Sequence, residues 1–280
     1  MRLDRVRAPA SALALAAHPV PSLAVTVMTV ALTAGAGNDA ATCVLVGVAV
    51  LSGQLSIGWS NDALDAERDQ QVGRSDKPVA VGAVSTSTVL TAAFVALPVT
   101  VLASFALGWR AALAQLVMVA CGWIYNLGVK STVLSWLPFV PAFAALPAVA
   151  TLALPDHPWP PWWSLVAGGL IGVSGHLGNV LPDLAQDDVT GVRGLAHRIG
   201  PAWTAALGLG SAFAAVVLVA LAPGDSVTWW SWLGLAVAAV VTAVAFIVVR
   251  RRPSSEAAFY ATTTVAAIGV TLLATSPAFP

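Results

Sequence analysis

Nine apolar stretches, each about as long as a bilayer is thick, run through this chain: roughly 20–37, 41–60, 83–107, 110–128, 132–153, 162–181, 201–222, 228–250 and 256–276. Gly, Pro and charged residues separate them. A helix needs about 20 mostly apolar residues to cross the hydrocarbon core. In lipid, backbone polar groups must be paired within the segment or a closed barrel. These stretches are too long for barrel strands and lack their period-two alternation. The fold expected is all-α: a polytopic membrane protein with nine transmembrane helices. At 58% hydrophobic and 9% charged, the chain falls far below the roughly 25% charged residues of a soluble domain, which excludes disorder and a water-covered globule. Zero net charge gives no basic surface, so no nucleic-acid partner is expected. Cys43 and Cys121 lie inside apolar runs and read as packing residues, not as a disulfide or zinc ligands.

The basic residues orient this bundle. Arg2, Arg5 and Arg7 precede the apolar run Ala8–Ala17, in the manner of a short signal peptide. Asp4 and the span that follows at once favour an uncleaved cytoplasmic or interfacial N-terminus over residues 1–18. With that end inside, twelve of the thirteen Lys and Arg residues face the cytoplasm and only Arg110 lies outside, a strong positive-inside pattern. The outer connections carry Asp39, the stretch Asp156–Trp163 and the stretch Asp225–Trp232. Their tryptophans read as an interfacial belt. The runner of basic residues Arg250–Arg252 reads as a topological anchor.

Two stretches share the pattern N-x-x-x-D-x-x-x-D-x-x-x-G: Asn61, Asp65, Asp69, Gly73 and Asn179, Asp183, Asp187, Gly191. Four spans separate them, so both fall on the cytoplasmic side and point the same way. This suggests a parallel duplication of a four-helix unit plus one extra helix. Lys130 closes the fourth span and Arg250 the eighth. Carboxylates are costly near a bilayer and mark function there. A solvated connection explains one acidic cluster; it does not explain the same spacing in two equivalent places.

At about 100° per residue, Asn61, Asp62, Asp65 and Asp69 occupy one arc of a helix, with Gln54 and Arg68 beside it. Asn179, Asp183 and Asp187 share a face with His176, while Asp188 points away. Oxygen-only ligand sets suit Mg²⁺, which keeps substrate phosphates as further ligands. A single His176 does not supply a zinc site. Arg68, Arg74, Lys77, Lys130, Arg193 and Arg198 surround the acids. Acids for metal and bases for phosphate describe a diphosphate site at the membrane surface, above an apolar body able to take an isoprenoid tail. Tyr125 reads as an interfacial anchor or an active-site group, and His176 as a contact between helices or with substrate. His157 and His197 read as loop residues, Met28 and Met118 as packing.

The segment Asn61–Asp69 resembles the first aspartate-rich motif of the UbiA-type intramembrane prenyltransferases. Arg74-Ser75-Asp76-Lys77-Pro78 resembles the basic-proline segment that follows it, and Asp183–Asp187 resembles the second motif. Tyr125 with Lys130 is similar to the Tyr and basic residue that end the family's fourth helix. The resemblance implies a single transmembrane domain over 1–280, a nine-helix bundle around a central cavity with a cytoplasmic cap. It implies that Asp62, Asp65, Asp69, Asp183 and Asp187, with Asn61 as a further ligand, hold the Mg²⁺ ions that bridge a prenyl diphosphate. Arg68, Lys77 and Lys130 would contact its oxygens, with Tyr125 and Asn179 also on the substrate. A cation formed there needs a dry pocket lined by π faces, for which Trp59, Trp123 and Tyr125 are candidates. The expected activity is Mg²⁺-dependent transfer of a polyprenyl group from an allylic prenyl diphosphate to a small aromatic or quinone-precursor acceptor, within membrane lipid. Members using hydroxybenzoate carry an arginine near the start of the first helix, where Ala17-His18-Pro19 stands here. A terpene cyclase on the same scaffold, a sugar-phosphate or lipid-headgroup acceptor, and a cation transporter are the alternatives. Against transport, the acids gather at one face instead of the midplane.

Overall fold

The computed structural model describes residues 9–184, 191–224, 227–252 and 256–279. Among them the protein is all-α. The helices are α1 (Pro9–Ala16), α2 (Pro19–Gly35), α3 (Ala40–Gln71), α4 (Thr86–Ala106), α5 (Trp109–Asn126), α6 (Phe139–Leu152), α7 (Trp162–Val180), α8 (Leu195–Leu221), α9 (Trp229–Arg251) and α10 (Ala257–Ala274). Single 3-10 turns follow α5 (Val129–Ser131) and α7 (Leu181–Asp183).

Helix starts follow local chemistry. Asp39 caps α3 by accepting the Thr42 N–H at 2.8 Å, and Ser85 caps α4 by accepting that of Thr88 at 3.1 Å. The glycine closing each acidic stretch has a common reason: Gly73 (φ 70) and Gly191 (φ 77) both take left-handed backbone that other residues adopt at a cost. After Gly73 the chain turns back, with the Arg74 N–H bonded to the Asp69 carbonyl at 3.0 Å.

A helix stands within every one of the nine apolar segments. Six of them (α3, α4, α7 with its 3-10 turn, α8, α9 and α10) are long and apolar enough to cross a membrane unaided. The pair α1–α2, bent by 65°, qualifies jointly. Helix α6 is shorter than its apolar segment because Pro138 and the turns before it delay helix until Phe139. Helix α3 is longer, running unbroken past the apolar segment to Gln71, so the first acidic stretch stands on its C-terminal extension. Helix α8 starts at Leu195, and Gly200 (φ 80) breaks it before Pro201.

Packing is built on small residues. The buried core, to which each helix from α2 to α10 contributes, is rich in alanine. Large apolar side chains such as Phe94, Leu102, Leu113, Trp203 and Val240 point outward. Lipid is as apolar as a core, so close backbone approach, not hydrophobic burial, holds such helices together. Gly168 and Gly172 on α7 illustrate this. A Cβ at Gly172 would lie 2.2 Å from the Phe139 carbonyl oxygen, and one at Gly168 2.5 Å from that of Phe143.

Candidate active site

Helix α3 delivers the first acidic stretch. Asn61, Asp65 and Asp69 line a cavity of about 680 Å³ at the end of the bundle. Asn126, buried at the end of α5, holds Asn61 in place: its Oδ1 accepts from Asn61 Nδ2 at 3.2 Å. Its own Nδ2 donates to Ser60 Oγ and the Ile57 carbonyl at 2.8 and 2.9 Å. Asn61 also donates to Asp65 Oδ2 at 3.2 Å. The other partners of Asp65 are cationic. Lys130, from the 3-10 turn after α5, donates to its Oδ1, and Arg68 Nη2 lies 2.8 Å from its Oδ2. Arg68 also lies 3.8 Å from Asp69 Oδ1. Two cations on one nearly buried carboxylate offset a desolvation cost that would otherwise reach several kcal/mol. Burial pushes the Lys130 ammonium below its ordinary pKa even though Asp65 pulls the other way.

Asp62 stands apart. It is 1% exposed and absent from the cavity wall. Lys77 Nζ lies 3.0 Å from its Oδ1 and donates to His18 Nε2 at 2.9 Å, while His18 Nε2 is 3.6 Å from the same carboxylate. His18 occupies the bend between α1 and α2 with φ 50, unusual for a residue with a side chain.

The second acidic stretch reaches the same cavity from α7. Asn179 and Asp183 line it opposite α3. The expectation that Asn179, Asp183 and Asp187 share one face of a continuous helix needs correction: α7 ends at Val180, and Asp183 closes a 3-10 turn. Pro182 is the reason, since it has no N–H to continue the α-helical ladder. Asp187 and Asp188 lie outside the described residues, as do Arg2, Arg5, Arg7 and Asp225. Arg74 ties the two sides together. Its guanidinium grips Asp76 through Nε and Nη2, both at 2.9 Å, and its Nη1 lies 3.8 Å from Asp183 Oδ2. The hydrogen bonds from Arg74 hold the Asp76 carboxyl below the usual range.

Of the six cations expected around the acids, Arg68, Arg74, Lys77 and Lys130 line the cavity; Arg193 and Arg198 are exposed and do not. Among the aromatic candidates, Tyr125 does so. Trp59 instead donates to the Leu13 carbonyl at 2.8 Å and Trp123 to Ser56 Oγ at 3.1 Å. Tyr125 meets Phe139 edge-on, ring centres 5.0 Å apart, and His176 at 5.6 Å. His176 is buried, with Nε2 3.0 Å from Ser135 Oγ, which accepts the Leu195 N–H. His197, expected in a loop, lies in the first turn of α8 and lines the cavity. Asn126 and Ser135 are functional neighbours that the acidic motifs do not point to. Each is a polar residue near the end of an apolar run, Asn126 directly after Tyr125, a signal that was there to be read.

Below the polar cavity lies an apolar pocket of about 300 Å³, lined by Met28, Met118, Phe139, Phe143, Leu146 and Ile171 among others. Both methionines, expected only to pack, face this space. The two spaces adjoin, with His18, Asn61, Tyr125, Asn179 and Phe259 among the walls they share. Charge above and hydrocarbon below suit an amphiphile with an anionic head.

The sequence matches the profile of the UbiA prenyltransferase family over residues 22–269. The chain belongs to that family. Solved UbiA relatives share its fold. A UbiA homologue from Archaeoglobus fulgidus, bound to GPP and Mg²⁺, superposes with a TM-score of 0.74 at 14% identity, covering 93% of this chain and 97% of the other. A UbiA homologue from Aeropyrum pernix K1 gives 0.71 at 19% identity, covering 88% and 96%. A structure concerned with digeranylgeranylglyceryl phosphate synthase gives 0.67 at 14%, covering 95% and 97%. No curated protein matches the chain. As a UbiA family member with these apolar helices, it is an integral membrane protein.

Proposed function

We propose that this UbiA protein transfers a polyprenyl group from an allylic prenyl diphosphate to an aromatic or quinone-precursor acceptor, with Mg²⁺ as cofactor. The observation that carries this reading is the pair of adjoining spaces. Carboxylates from α3 and from the turn after α7, with four cations, line the first, and apolar side chains the second. The structural relatives bound to GPP or DMAPP with Mg²⁺ support it.

The donor set suits Mg²⁺. Asp65, Asp69 and Asp183 offer only hard oxygens to the cavity, with Asn61 and Asn179 beside them. Among the described residues no three carboxylates, imidazoles or thiols form a closed metal cage. Mg²⁺ binds through one or two carboxylates and takes its remaining ligands from phosphate and water. We assign Asn61, Asp65, Asp69, Asp183 and Asp187 to the metal ions. Bound there, Mg²⁺ supplies the charge that makes diphosphate a better leaving group.

The remaining steps belong to the chain's own residues. Arg68, Lys77 and Lys130 hold the diphosphate oxygens, and the charge developing as the C–O bond breaks meets groups already in place. Tyr125, with Phe139 and Phe259, presents aromatic surface to the allylic cation, and the apolar walls exclude water that would quench it. The acceptor ring bonds to the cationic carbon, and the proton it then gives up passes to the released diphosphate.

We read nine membrane crossings, as two parallel four-helix units plus one helix in a single domain over 1–280. The N-terminus and cavity mouth face the cytoplasm, at the plasma membrane if the source is prokaryotic. The arrival of matching Asn and Asp residues from α3 and α7 at one cavity supports this duplication. The test is purified protein incubated with labelled geranyl diphosphate, Mg²⁺ and an acceptor panel. Asp65→Asn and Asp183→Asn should each cut diphosphate release by at least about 10²-fold. Undiminished release in either would refute the assigned site, and a cyclised hydrocarbon formed without acceptor would identify a cyclase instead.

A further inference from the structure

We propose that Asp62, although it stands inside the acidic motif, is not a metal ligand but a positioning residue that holds Lys77 at the diphosphate end of the cavity. The proposal rests on the diphosphate reading above. Three observations carry it. First, Asp62 follows Asn61 and so lies about 100° round the helix from it; Asn61 lines the cavity and Asp62 does not. Second, its carboxylate is 1% exposed and already has a counter-ion, Lys77 Nζ at 3.0 Å from Oδ1. Third, Lys77 does line the cavity, and it has a second fixed partner in His18 Nε2 at 2.9 Å. An ammonium can only donate, so the imidazole nitrogen accepts, and His18 contributes orientation without competing charge.

The supporting frame is equally specific. Lys77 comes from the connection between α3 and α4, which has no helix of its own to fix it. His18 comes from the α1–α2 bend. That bend is pinned to α3 by the Trp59–Leu13 hydrogen bond and by close contact at Gly58, where a Cβ would meet the Ala17 carbonyl oxygen at 2.3 Å. Gly58, Trp59 and Asp62 therefore serve one end: they seat the Ala17–His18 corner and hold the lysine between imidazole and carboxylate. A lysine stem has four rotatable bonds, and a phosphate contact is worth more when that freedom is already spent.

The test uses the full-length protein in nanodiscs, with Mn²⁺ replacing Mg²⁺ so that bound metal is counted by electron paramagnetic resonance, and geranyl diphosphate as ligand. Asp62→Asn should keep the wild-type Mn²⁺ count in the presence of geranyl diphosphate. It should raise the Kd and KM for geranyl diphosphate about 10-fold, with kcat at saturation falling less than KM rises. In a Lys77→Met background, Asp62→Asn should add almost nothing, because the two act through one contact. If Asp62→Asn is recovered only as aggregate, Asp62→Asn/Lys77→Met removes both buried charges together and supplies the metal count. Loss of one Mn²⁺ in either protein overturns the proposal by making Asp62 a ligand. Additive effects of the two substitutions overturn it too. Should wild type bind no geranyl diphosphate, or Asp65→Asn keep every Mn²⁺, the failure lies with the diphosphate reading itself.

Discussion

Replacing Gly172 by alanine tests whether helix spacing sets the chemistry. The added Cβ would lie 2.2 Å from the Phe139 carbonyl oxygen and 2.8 Å from its carbon, both backbone atoms that no rotamer change can move. Ordinary contact begins near 3.4 Å, so α6 and α7 must separate locally by about 1.2 Å. Overpacking of this kind costs about 1–3 kcal/mol, and alanine returns about 1 kcal/mol of helix propensity. The net loss of stability is therefore modest, and the protein should still fold. Activity is the sensitive readout. Helix α7 carries Asn179 and leads into the turn bearing Asp183, and Phe139 lies against His176 with ring centres 4.8 Å apart and planes tilted by 34°. A displacement near 1 Å at a reacting centre costs about 10²-fold in rate. Diphosphate release from geranyl diphosphate with Mg²⁺ should thus fall about 10²-fold in Gly172→Ala, while the melting temperature drops by only a few degrees. Gly210→Ala is the control: this helical glycine is exposed and its Cβ would meet nothing within 4 Å. Its activity should match wild type. A folded Gly172→Ala protein with activity within about twofold of wild type would refute the idea that close α6–α7 contact positions the second acidic stretch.

Two further outcomes follow from the geometry. Gly175 lines the apolar pocket, and a Cβ there meets nothing within 4 Å; Gly175→Leu should fill the pocket and shift the kcat/KM ratio of geranyl over geranylgeranyl diphosphate by about tenfold toward the shorter chain. The Arg74–Asp76 pair depends on an Asp76 carboxyl held below its usual pKa, so its stabilisation is present above the unfolded value near 4 and is lost as pH falls through the lower folded one. Protection factors for hydrogen exchange across residues 72–85 should then hold steady between about pH 6 and 8 and fall only below about pH 4, whereas Asp76→Asn should show lower protection at neutral pH and converge on wild type in acid.

Residues 61–69 show why part of this site could be read from sequence and part could not. Asn61, Asp65 and Asp69 are spaced one turn apart on an unbroken helix, so periodicity alone places them together, and the cavity bears that out. Asp62 belongs to the same arc by angle, yet it pairs with Lys77 and lies behind the wall; what decides its place is the α1–α2 corner, and no local pattern reports a tertiary neighbour. The second stretch fails differently. Its four-residue spacing copies the first, but Pro182 interrupts the ladder and Asp183 arrives through a 3-10 turn, so equal spacing does not mean equal geometry. The apolar segments were legible because lipid demands them, whereas α6 is short and α3 long for reasons of Pro138 and of charge beyond the bilayer. Asn126 and Ser135 were hidden by their modest chemistry: neither carries a charge, and each matters through the group it orients. Sequence thus exposes residues that would touch an ion or a diphosphate, and the structure adds those that hold them still.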